Sequence, residues 1–364
     1  MGVRTAVAMS GGVDSSTAAL LLLQGGHDLI GLTMVLFSGE TPGCSPACAL
    51  RARREAAGAA AAAAQLGFPH RTLDLSAPFL AQVLEPFAGD YEAGRTPNPC
   101  VACNRAVKFG ALLSAARNLG AERLATGHYA RLEREGGSGR WLLKKAVHPE
   151  KDQSYVLWTL TQDQLSHSLF PLGGLSKEEI RSLAAAHGLA SAQKGDSQDI
   201  CFVPDGDYAS FLRRFRGRDY LPGPFLSEEG LVLGTHSGIV NYTVGQRRGL
   251  GVSSSQGRLY VKEVRSRDNA VVLSGNEGLF SRSLTARGLN LIPCARLDGP
   301  VRLRAKVRYR MAEQPCTAEQ TGPDTLRVTF DQPQRAVTPG QSVVLYDGDT
   351  VVGGAVIWKG ESEP

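Results

Sequence analysis

Residues 10–16 form a glycine-rich turn whose residue types suit phosphate binding. They read Ser-Gly-Gly-Val-Asp-Ser-Ser and lie between two apolar segments, residues 4–9 and 17–24. Glycines let backbone N–H groups close on an anion, and the N-terminal end of a following helix is positive. The turn contains no lysine, so it does not match the G-x-x-x-x-G-K-[ST] pattern of kinases and GTPases. The alternative is a simple glycine turn in which Asp14 or Ser15 caps the helix.

Three cysteines lie in segments that suit thiol chemistry. Cys100 and Cys103 stand in a proline-stiffened loop just before a predicted helix, whose positive end would favour a thiolate. Cys201 follows a polar run, residues 196–199. The chain has seven cysteines, an odd number. In a reducing compartment such thiols are more often catalytic or metal-binding than disulfide-bonded.

Composition and charge narrow the class of protein. The chain has 364 residues, a net charge of +5 and a pI near 8.8. No apolar stretch approaches the ~20 residues of a membrane span, and the N-terminus does not resemble a signal peptide. We therefore expect a cytoplasmic protein without a membrane partner. Basic residues alternate with apolar ones over residues 302–310, which predicts one strand with a cationic face, either solvated or in contact with phosphates.

The first part of the chain alternates predicted strands and helices. Strands are expected at 4–9, 29–37, 70–75 and 123–130, and helices at 17–24, 51–66, 79–91 and 105–119. This alternation predicts an α/β fold with a doubly wound parallel sheet. A glycine-rich hairpin tip is expected at 135–139, and Ser176 with Glu179 forms a capping box that starts a helix ending near Gly188.

Short β-type runs separated by glycine and proline dominate after residue 205. They are residues 238–244, 257–264, 269–275, 302–310, 326–330 and 342–348. They predict a small central β-rich domain and a C-terminal β-barrel. We place the catalytic α/β domain with its helical connector at 1–204, the central domain at 205–282 and the barrel at 283–364.

The motifs, taken together, resemble the bacterial tRNA-specific 2-thiouridylases of the PP-loop ATP pyrophosphatase superfamily. The resemblance covers nearly the whole chain, and its motifs are long and in the same order. They are SGGVDSS (10–16), GRTPNPCVACNRAVKF (94–109), TGHYAR (126–131), KDQSYVLWTL (151–160), KGDSQDICFV (194–203), HSGIVNYTVGQRRGLGV (236–252) and VTPGQSVVLY (337–346).

The resemblance implies both a reaction and the residues that perform it. The 2-oxygen of the wobble uridine in the tRNA anticodon loop would attack the α-phosphorus of ATP, pyrophosphate would leave, and sulfur would then displace AMP. Cys201 would carry that sulfur as a persulfide, and Cys103 would release it. A cysteine desulfurase or a sulfur-relay protein would supply the sulfur.

The resemblance also assigns binding residues. The residues implied to line ATP are Ala8, Met9, Ser10, Gly11, Gly12, Val13, Asp14, Ser15, Met34 and Gly127. Asp14 is also a candidate for holding Mg²⁺, with helix capping as the alternative. Asn98, Pro99 and Cys100 would touch the target base. The other residues implied to contact tRNA are His128, Lys151, Asp152, Gln153, Arg308, Tyr309 and Gln341.

This chain departs from the family at Cys100, where many members carry aspartate. Cys100, Cys103 and Cys201 supply three thiolates, the number that can hold a four-iron four-sulfur cluster with one iron left open. A persulfide relay without a cluster uses the same Cys103 and Cys201. Zinc held by Cys44, Cys48, Cys100 and Cys103 is a third arrangement that the spacing permits.

Two other functions use part of the same sequence. A PP-loop amidating synthetase would need the phosphate turn but not the cysteines. A non-catalytic RNA-binding protein would need the basic strand and the barrel but not ATP turnover.

Overall fold

The computed structural model describes residues 3–37, 41–44, 46–193, 200–252 and 257–361. The chain forms two compact units. The first comprises Met1–Leu84, Pro99–Asp207 and Gly348–Val351. The second comprises Glu85–Asn98, Tyr208–Asp347 and Val352–Pro364.

The first unit contains a parallel sheet with helices beside it. Its strands are β1 (Arg4–Ala8), β2 (Asp28–Val35), β3 (His70–Asp74), β4 (Arg123–Ala125), β5 (Ala130–Arg134), β6 (Trp141–Lys145) and β7 (Ser168–Leu169). The sheet order is β3-β2-β1-β4-β7, and every neighbouring pair is parallel. The helices of this unit are α1 (Val13–Gln24), α2 (Pro46–Leu66), α3 (Ser76–Phe79), α5 (Pro99–Ala102), α6 (Leu113–Asn118), α7 (Gln162–Ser166) and α8 (Lys177–Ala186). Helix α4 (Glu85–Glu92) follows α3 in the chain and belongs to the second unit. The predicted doubly wound α/β fold is confirmed.

Helical segments of other pitch connect these elements. Leu80–Leu84 and Cys103–Leu112 have the wider turns of a π-helix, so residues 76–92 and 99–118 are each nearly continuous helices. Short 3₁₀ helices span Pro149–Lys151, Ser154–Leu157 and Ala190–Gln193.

Small side chains let α2 lie close to the sheet. Ala59 and Ala63 are fully buried against Val7, Leu29 and neighbouring apolar residues of β1, β2 and α1. An alanine face permits a shorter distance between helix and sheet than leucine would allow. The polyalanine tract therefore sets how near α2 comes to the turn that follows β1.

One predicted strand is in fact two. Residues 123–130 were expected to form a single strand, but β4 ends at Ala125 and β5 begins at Ala130. Residues 126–129 turn between them, and β5 pairs antiparallel with β6 instead of joining the parallel sheet. The predicted hairpin tip at 135–139 and the capping box of Ser176 and Glu179 are confirmed.

The second unit begins with a small sheet and a basic helix. Its elements are α9 (Tyr208–Arg216), β8 (Gly223–Leu226), β9 (Val232–His236), β10 (Tyr260–Arg265) and β11 (Ala270–Ser274), with sheet order β10-β11-β8-β9. Sequence reasoning missed α9, which buries Phe211, Leu212 and Phe215. The strand predicted at 238–244 is wrong, because Ile239–Asn241 forms a 3₁₀ helix after Gly238, whose φ is +114°.

Six strands then close into a barrel. They are β12 (Phe280–Leu291), β13 (Val301–Lys306), β14 (Gln314–Gln320), β15 (Thr325–Arg335), β16 (Ser342–Asp347) and β17 (Thr350–Glu361), and the 3₁₀ helix Glu277–Leu279 precedes them. Neighbours follow the order β12-β15-β14-β13-β16-β17, and β17 pairs with β12 to close the ring. Alternate residues such as Leu303, Ala305, Val328 and Leu345 fill the interior. The predicted C-terminal barrel is confirmed.

The predicted cationic strand is shorter than expected. β13 ends at Lys306, so residues 308–310 lie beyond it. Its basic side chains have acidic neighbours: Arg302 pairs with Asp331 at 2.8 Å, and Arg304 lies 3.7 Å from Glu313. These carboxylates supply the counter-charge that the sequence pattern alone did not reveal.

No helix in the described ranges is both long and apolar enough to cross a membrane.

Two adjacent glycines give a direct test of packing in the first unit. A Cβ atom at Gly173 would overlap the backbone carbonyl of Ala130, whereas one at Gly174 would have no atom within 4 Å. We expect Gly173→Ala to lower the free energy of unfolding by about 1–3 kcal/mol, as overpacking does. Gly174→Ala should change it by less than about 0.5 kcal/mol. Urea unfolding monitored by tryptophan fluorescence measures both, and equal stability of the two variants would contradict the packing.

Candidate active site

The predicted nucleotide-binding residues of the first unit meet at one edge of the parallel sheet. Ala8 ends β1, Met34 lies one residue before the end of β2, and Gly127 follows β4 by two residues. The carboxyl ends of parallel strands lie at the same edge, where α/β proteins bind their ligands. The edge thus joins residues that are more than a hundred positions apart in sequence.

Hydrogen bonds among its own residues shape the turn at residues 10–12. The backbone N–H of Ser10 donates to Oγ of Ser15 over 3.2 Å. The hydroxyls of Ser15 and Ser16 donate to the carbonyl of Gly12 over 3.2 and 3.0 Å. The serines therefore fix the turn itself, and α1 starts at Val13 directly behind it.

Two glycines are required by close approaches to this turn. Gly11 has a φ of +69°, and a Cβ there would lie 2.7 Å from the carbonyl oxygen of Glu55 in α2. A Cβ at Gly127 would lie 3.0 Å from backbone atoms of Asp14 and Ser15. Any larger side chain would push α2 or residues 126–129 away from the start of α1.

Asp14 forms an ion pair and does not cap α1. The helix has no side-chain cap hydrogen bond, so the capping alternative is wrong. Instead, Nζ of Lys177 lies 2.8 and 3.0 Å from the two carboxylate oxygens of Asp14. The hydroxyl of Tyr129 donates to the same carboxylate over 2.7 Å. Lys177 is only 6% exposed, so this contact brings a buried cation to the edge of a lysine-free turn.

Sequence reasoning missed Lys177 and Tyr129. Lys177 is the first residue of α8, directly after the capping residue Ser176. Nothing in the spacing between residues 14 and 177 signals their contact. Tyr129 lies within the TGHYAR motif, in which the family resemblance assigns roles to Gly127 and His128 only.

The thiols of Cys100, Cys103 and Cys201 lie within electrostatic range of one another. Burial is the main cause that raises the pKa of Cys201, and the nearby Cys103 and Cys100 raise it further. Burial also raises the pKa of Cys103 to about 11, against a smaller lowering by the ammonium of Lys108. Cys100 and Cys201 are exposed at the surface, yet desolvation by the surrounding protein raises the pKa of Cys100 as well. Cys100 and Cys103 lie inside the first turns of the helical segment 99–118, and not in a loop before it as the sequence predicts.

Helix α2 lies close to both Cys201 and the glycine turn. The carboxylate of Glu55 lies near enough to Cys201 to raise its pKa, and the backbone of Glu55 is the part of α2 that meets Gly11. Cys201 also acts on the pKa of Arg51, one helical turn earlier. One helix therefore contacts both the glycine turn and the surroundings of the thiol. Residues 196–199, which precede Cys201, lie outside the described residues.

The described part of the chain contains no group of three or more His, Cys, Asp and Glu side chains placed to hold a metal ion. The four-cysteine zinc arrangement is therefore not formed among the described residues, whereas a four-iron cluster held by Cys100, Cys103 and Cys201 stays a prediction. Mg²⁺ needs fewer protein ligands, because one or two carboxylates together with substrate phosphates suffice to bind it. The carboxylate of Asp14, about one-third exposed, fits that role.

Three of the predicted tRNA contacts, His128, Asp152 and Gln153, lie in loops of the first unit and make hydrogen bonds within the protein. His128 is buried, its Nδ1 lies 2.7 Å from Oγ1 of Thr126, and burial together with Lys108 holds its pKa well below the usual range. Asp152 accepts a hydrogen bond from the backbone N–H of Ala146 over 3.0 Å. The side-chain oxygen of Gln153 accepts one from the N–H of Tyr129 over 3.0 Å, and Lys151 ends a 3₁₀ helix. Pro99 is buried at the start of α5. Their contacts with RNA stay predictions.

The remaining predicted tRNA contacts belong to the second unit. Asn98 is its last residue before α5, Arg308 and Tyr309 follow β13, and Gln341 precedes β16. Tyr309 is 40% exposed, which leaves its ring accessible. Arg308 is half-buried and donates to the carbonyl of Ala336 over 2.8 Å.

Reactivity of Cys103 tests its electrostatic surroundings. Because only the thiolate reacts with iodoacetamide, a pKa of about 11 predicts an alkylation rate that rises about tenfold per pH unit from pH 7 to 9. Mass spectrometry of the peptide that contains Cys103 measures the rate, with Cys103→Ser confirming the peptide assignment. A rate that levels off below pH 8 would contradict the predicted desolvation.

Three family models match this chain in succession. Residues 3–205 match the tRNA methyl transferase HUP domain, residues 209–275 the tRNA methyl transferase PRC-barrel domain, and residues 281–357 the aminomethyltransferase beta-barrel domain. The first of these matches covers more than half of the chain.

Relatives match over almost the full length. The tRNA-specific 2-thiouridylase MnmA of Clostridioides difficile is 43% identical over 364 residues, with 99% of each chain covered. MnmA 1 of Caldanaerobacter subterraneus subsp. tengcongensis is 46% identical, with 98% of each chain covered. Similarity to solved structures is weak: a 4-thiouridine synthetase in complex with RNA and ATP has a TM-score of 0.32 and 18% identity, over 52% of this chain and 42% of that one.

A glycine turn at the edge of a parallel sheet, three neighbouring thiols, a closed C-terminal barrel and full-length identity above 40% agree with one another. The chain belongs to the family of tRNA-specific 2-thiouridylases.

Proposed function

We propose that this protein is an ATP-dependent tRNA-uridine 2-sulfurtransferase that acts on the wobble uridine of the anticodon loop. The observation that carries the proposal is the position of α2, which meets the glycine turn at Gly11 and borders the thiol of Cys201 through Glu55. Activation of a carbonyl by a nucleotide and delivery of sulfur need to occur within reach of each other. Helix α2 supports both in one unit.

The first step is adenylation of the base. A uridine carbonyl is a poor electrophile, and its oxygen is a poor leaving group until it is esterified. The 2-oxygen of uridine forms a bond to the α-phosphorus of ATP, and the bond from that phosphorus to the bridging oxygen of pyrophosphate breaks. The turn at residues 10–12 and the N-terminus of α1 bind the phosphates.

Asp14, Lys177 and Tyr129 support this step. Mg²⁺, when bound with ATP, neutralises charge that develops on the departing pyrophosphate. Asp14 would hold the ion while Lys177 and Tyr129 keep its carboxylate oriented. The buried ammonium of Lys177 also offsets the repulsion between the carboxylate and the phosphates of ATP.

The second step is sulfur transfer through thiols. A sulfur donor, such as a cysteine desulfurase or a sulfur-relay protein, loads Cys201 as a persulfide. The terminal sulfur attacks carbon 2 of the adenylated base, and AMP leaves. The thiolate of Cys103 then attacks the sulfur of Cys201, which releases 2-thiouridine and leaves a Cys103–Cys201 disulfide. An external dithiol reduces this disulfide and completes the cycle.

Recognition of tRNA involves an unpaired base. A nucleotide of the anticodon loop is already single-stranded, so turning it into a pocket costs a few kcal/mol or less. The family resemblance implies that Asn98, Pro99 and Cys100 contact the base. The exposed ring of Tyr309 on the barrel is suited to contact with RNA.

Replacement of Cys201 separates the two steps. We expect Cys201→Ser to abolish 2-thiouridine formation, because serine cannot carry a persulfide, while ATP still adenylates the tRNA and releases pyrophosphate. Cys294→Ser, at a half-buried cysteine of the second unit, is the matched control and should keep both activities. Nucleoside analysis and pyrophosphate release measure the two steps.

The same assay distinguishes other functions. Loss of pyrophosphate release together with thiolation in Cys201→Ser would contradict the assigned role of Cys201. ATP cleavage that needs ammonia would indicate an amidating synthetase. Binding of tRNA without any ATP turnover would indicate a non-catalytic RNA-binding protein.

A further inference from the structure

We propose that a turn of the barrel, residues 338–341, is a positioning element for the loop that leads into the cysteine-bearing helix. This inference rests on the proposed function. The turn reads Thr-Pro-Gly-Gln and is called the barrel turn below. Gln341 and Arg308, both expected from the family resemblance to contact tRNA, act through this turn as positioning residues.

Three hydrogen bonds join the barrel turn to residues 96 and 97. The backbone N–H of Thr96 donates to the carbonyl of Pro339 over 2.8 Å. The side-chain amide of Gln341 donates to the carbonyls of Thr96 and Pro97 over 2.8 and 3.3 Å. The barrel turn therefore bonds both the N–H group of Thr96 and the carbonyl groups of Thr96 and Pro97.

Gly340 lets the two backbones approach. Its φ is +91°, and a Cβ there would lie 2.9 to 3.0 Å from the nitrogen, oxygen and carbonyl carbon of Thr96. A real Cβ almost never comes that close to a backbone atom, and a backbone atom cannot rotate away as the end of a flexible side chain can. Glycine at position 340 is thus a requirement of this contact.

The barrel turn is itself rigidly fixed. The N–H of Gly340 donates to the carbonyl of Ile357 in β17 over 2.9 Å, and the N–H of Ile357 donates to the carbonyl of Gln341 over 2.8 Å. The turn is therefore part of the backbone hydrogen bonding with strand β17 of the barrel. Movement of the turn would break strand pairing.

Arg308 braces the start of the barrel turn. Its Nη2 donates to Oγ1 of Thr338 over 2.9 Å, to the carbonyl of Ala336 over 2.8 Å and to that of Val244 over 3.3 Å. The hydroxyl of Thr338 in turn donates to the carbonyl of Ala336. Ala336 has a φ of +54°, a backbone conformation that is uncommon for alanine and needs such support.

The other end of the held segment is also fixed. A Cβ at Gly94, whose φ is +75°, would overlap the carbonyl of Val264. The guanidinium of Arg95 pairs with Asp90 over 2.6 Å. Residues 94–97 are therefore clamped along their length, and Asn98 follows directly in the chain. A shift of the barrel turn would displace the residue expected to contact the target base.

Kinetics separate this role from direct contact with tRNA. Gln341→Met keeps the side-chain length but removes both N–H donors. We expect kcat for thiolation to fall about 10-fold to 100-fold, since small misplacements at a reaction centre have effects of that size, while the Kd for tRNA stays within about twofold. A rise in the Kd for tRNA that accounts for the whole loss of kcat/KM would overturn the proposal in favour of direct contact.

Hydrogen exchange tests the clamp without any activity. Gly340→Ala should increase the exchange rate of the Thr96 amide by at least about tenfold, because its acceptor Pro339 is pushed away. Gly299→Ala is the matched control, with a φ of +87° but no atom within 4 Å of the added Cβ, and should leave Thr96 protected. Unchanged protection of Thr96 in Gly340→Ala would overturn the proposal. If the wild-type protein makes no thiouridine, the proposed function fails, and the exchange data still decide whether the clamp exists.

Discussion

Close contact between the backbone of α2 and the glycine turn is the constraint on which the rest of the site depends. Gly11 meets the carbonyl of Glu55 so closely that no Cβ fits. The contact is possible because small side chains such as those of Ala59 and Ala63 allow a short distance between α2 and the sheet. The same helix then borders Cys201 through Glu55 and Arg51. The polyalanine tract therefore brings one helix close to both the glycine turn and Cys201.

Electrostatics divide the site into two environments. At the turn, the carboxylate of Asp14 is balanced by the buried ammonium of Lys177. Around the thiols, desolvation keeps the pKa of Cys103 at about 11, and the ammonium of Lys108 is a cation that lowers it. At neutral pH Cys103 is therefore present almost entirely as the thiol, and only its small thiolate fraction is nucleophilic.

The sequence was sufficient for the features that depend on local pattern. Alternating strands and helices predicted the parallel sheet, Ser176 and Glu179 predicted the start of α8, and the glycines at 135–139 predicted a hairpin. Contacts between distant residues were not predictable in the same way. Nothing local indicates that Lys177 pairs with Asp14, that Asp331 neutralises Arg302, or that Gln341 donates to Thr96. The strand predicted through residue 310 was too long because alternation of charge continues past the point where pairing with β16 stops at Lys306.

Exchange of sulfur between Cys201 and Cys103, within reach of the nucleotide site, is the step on which the proposed function most depends. The most direct measurement is a single turnover with persulfide-loaded protein, ATP and tRNA in the absence of reductant, followed by mass spectrometry of unreduced peptides. We expect one Cys103–Cys201 disulfide for each 2-thiouridine formed. Formation of 2-thiouridine while both thiols remain free would contradict it.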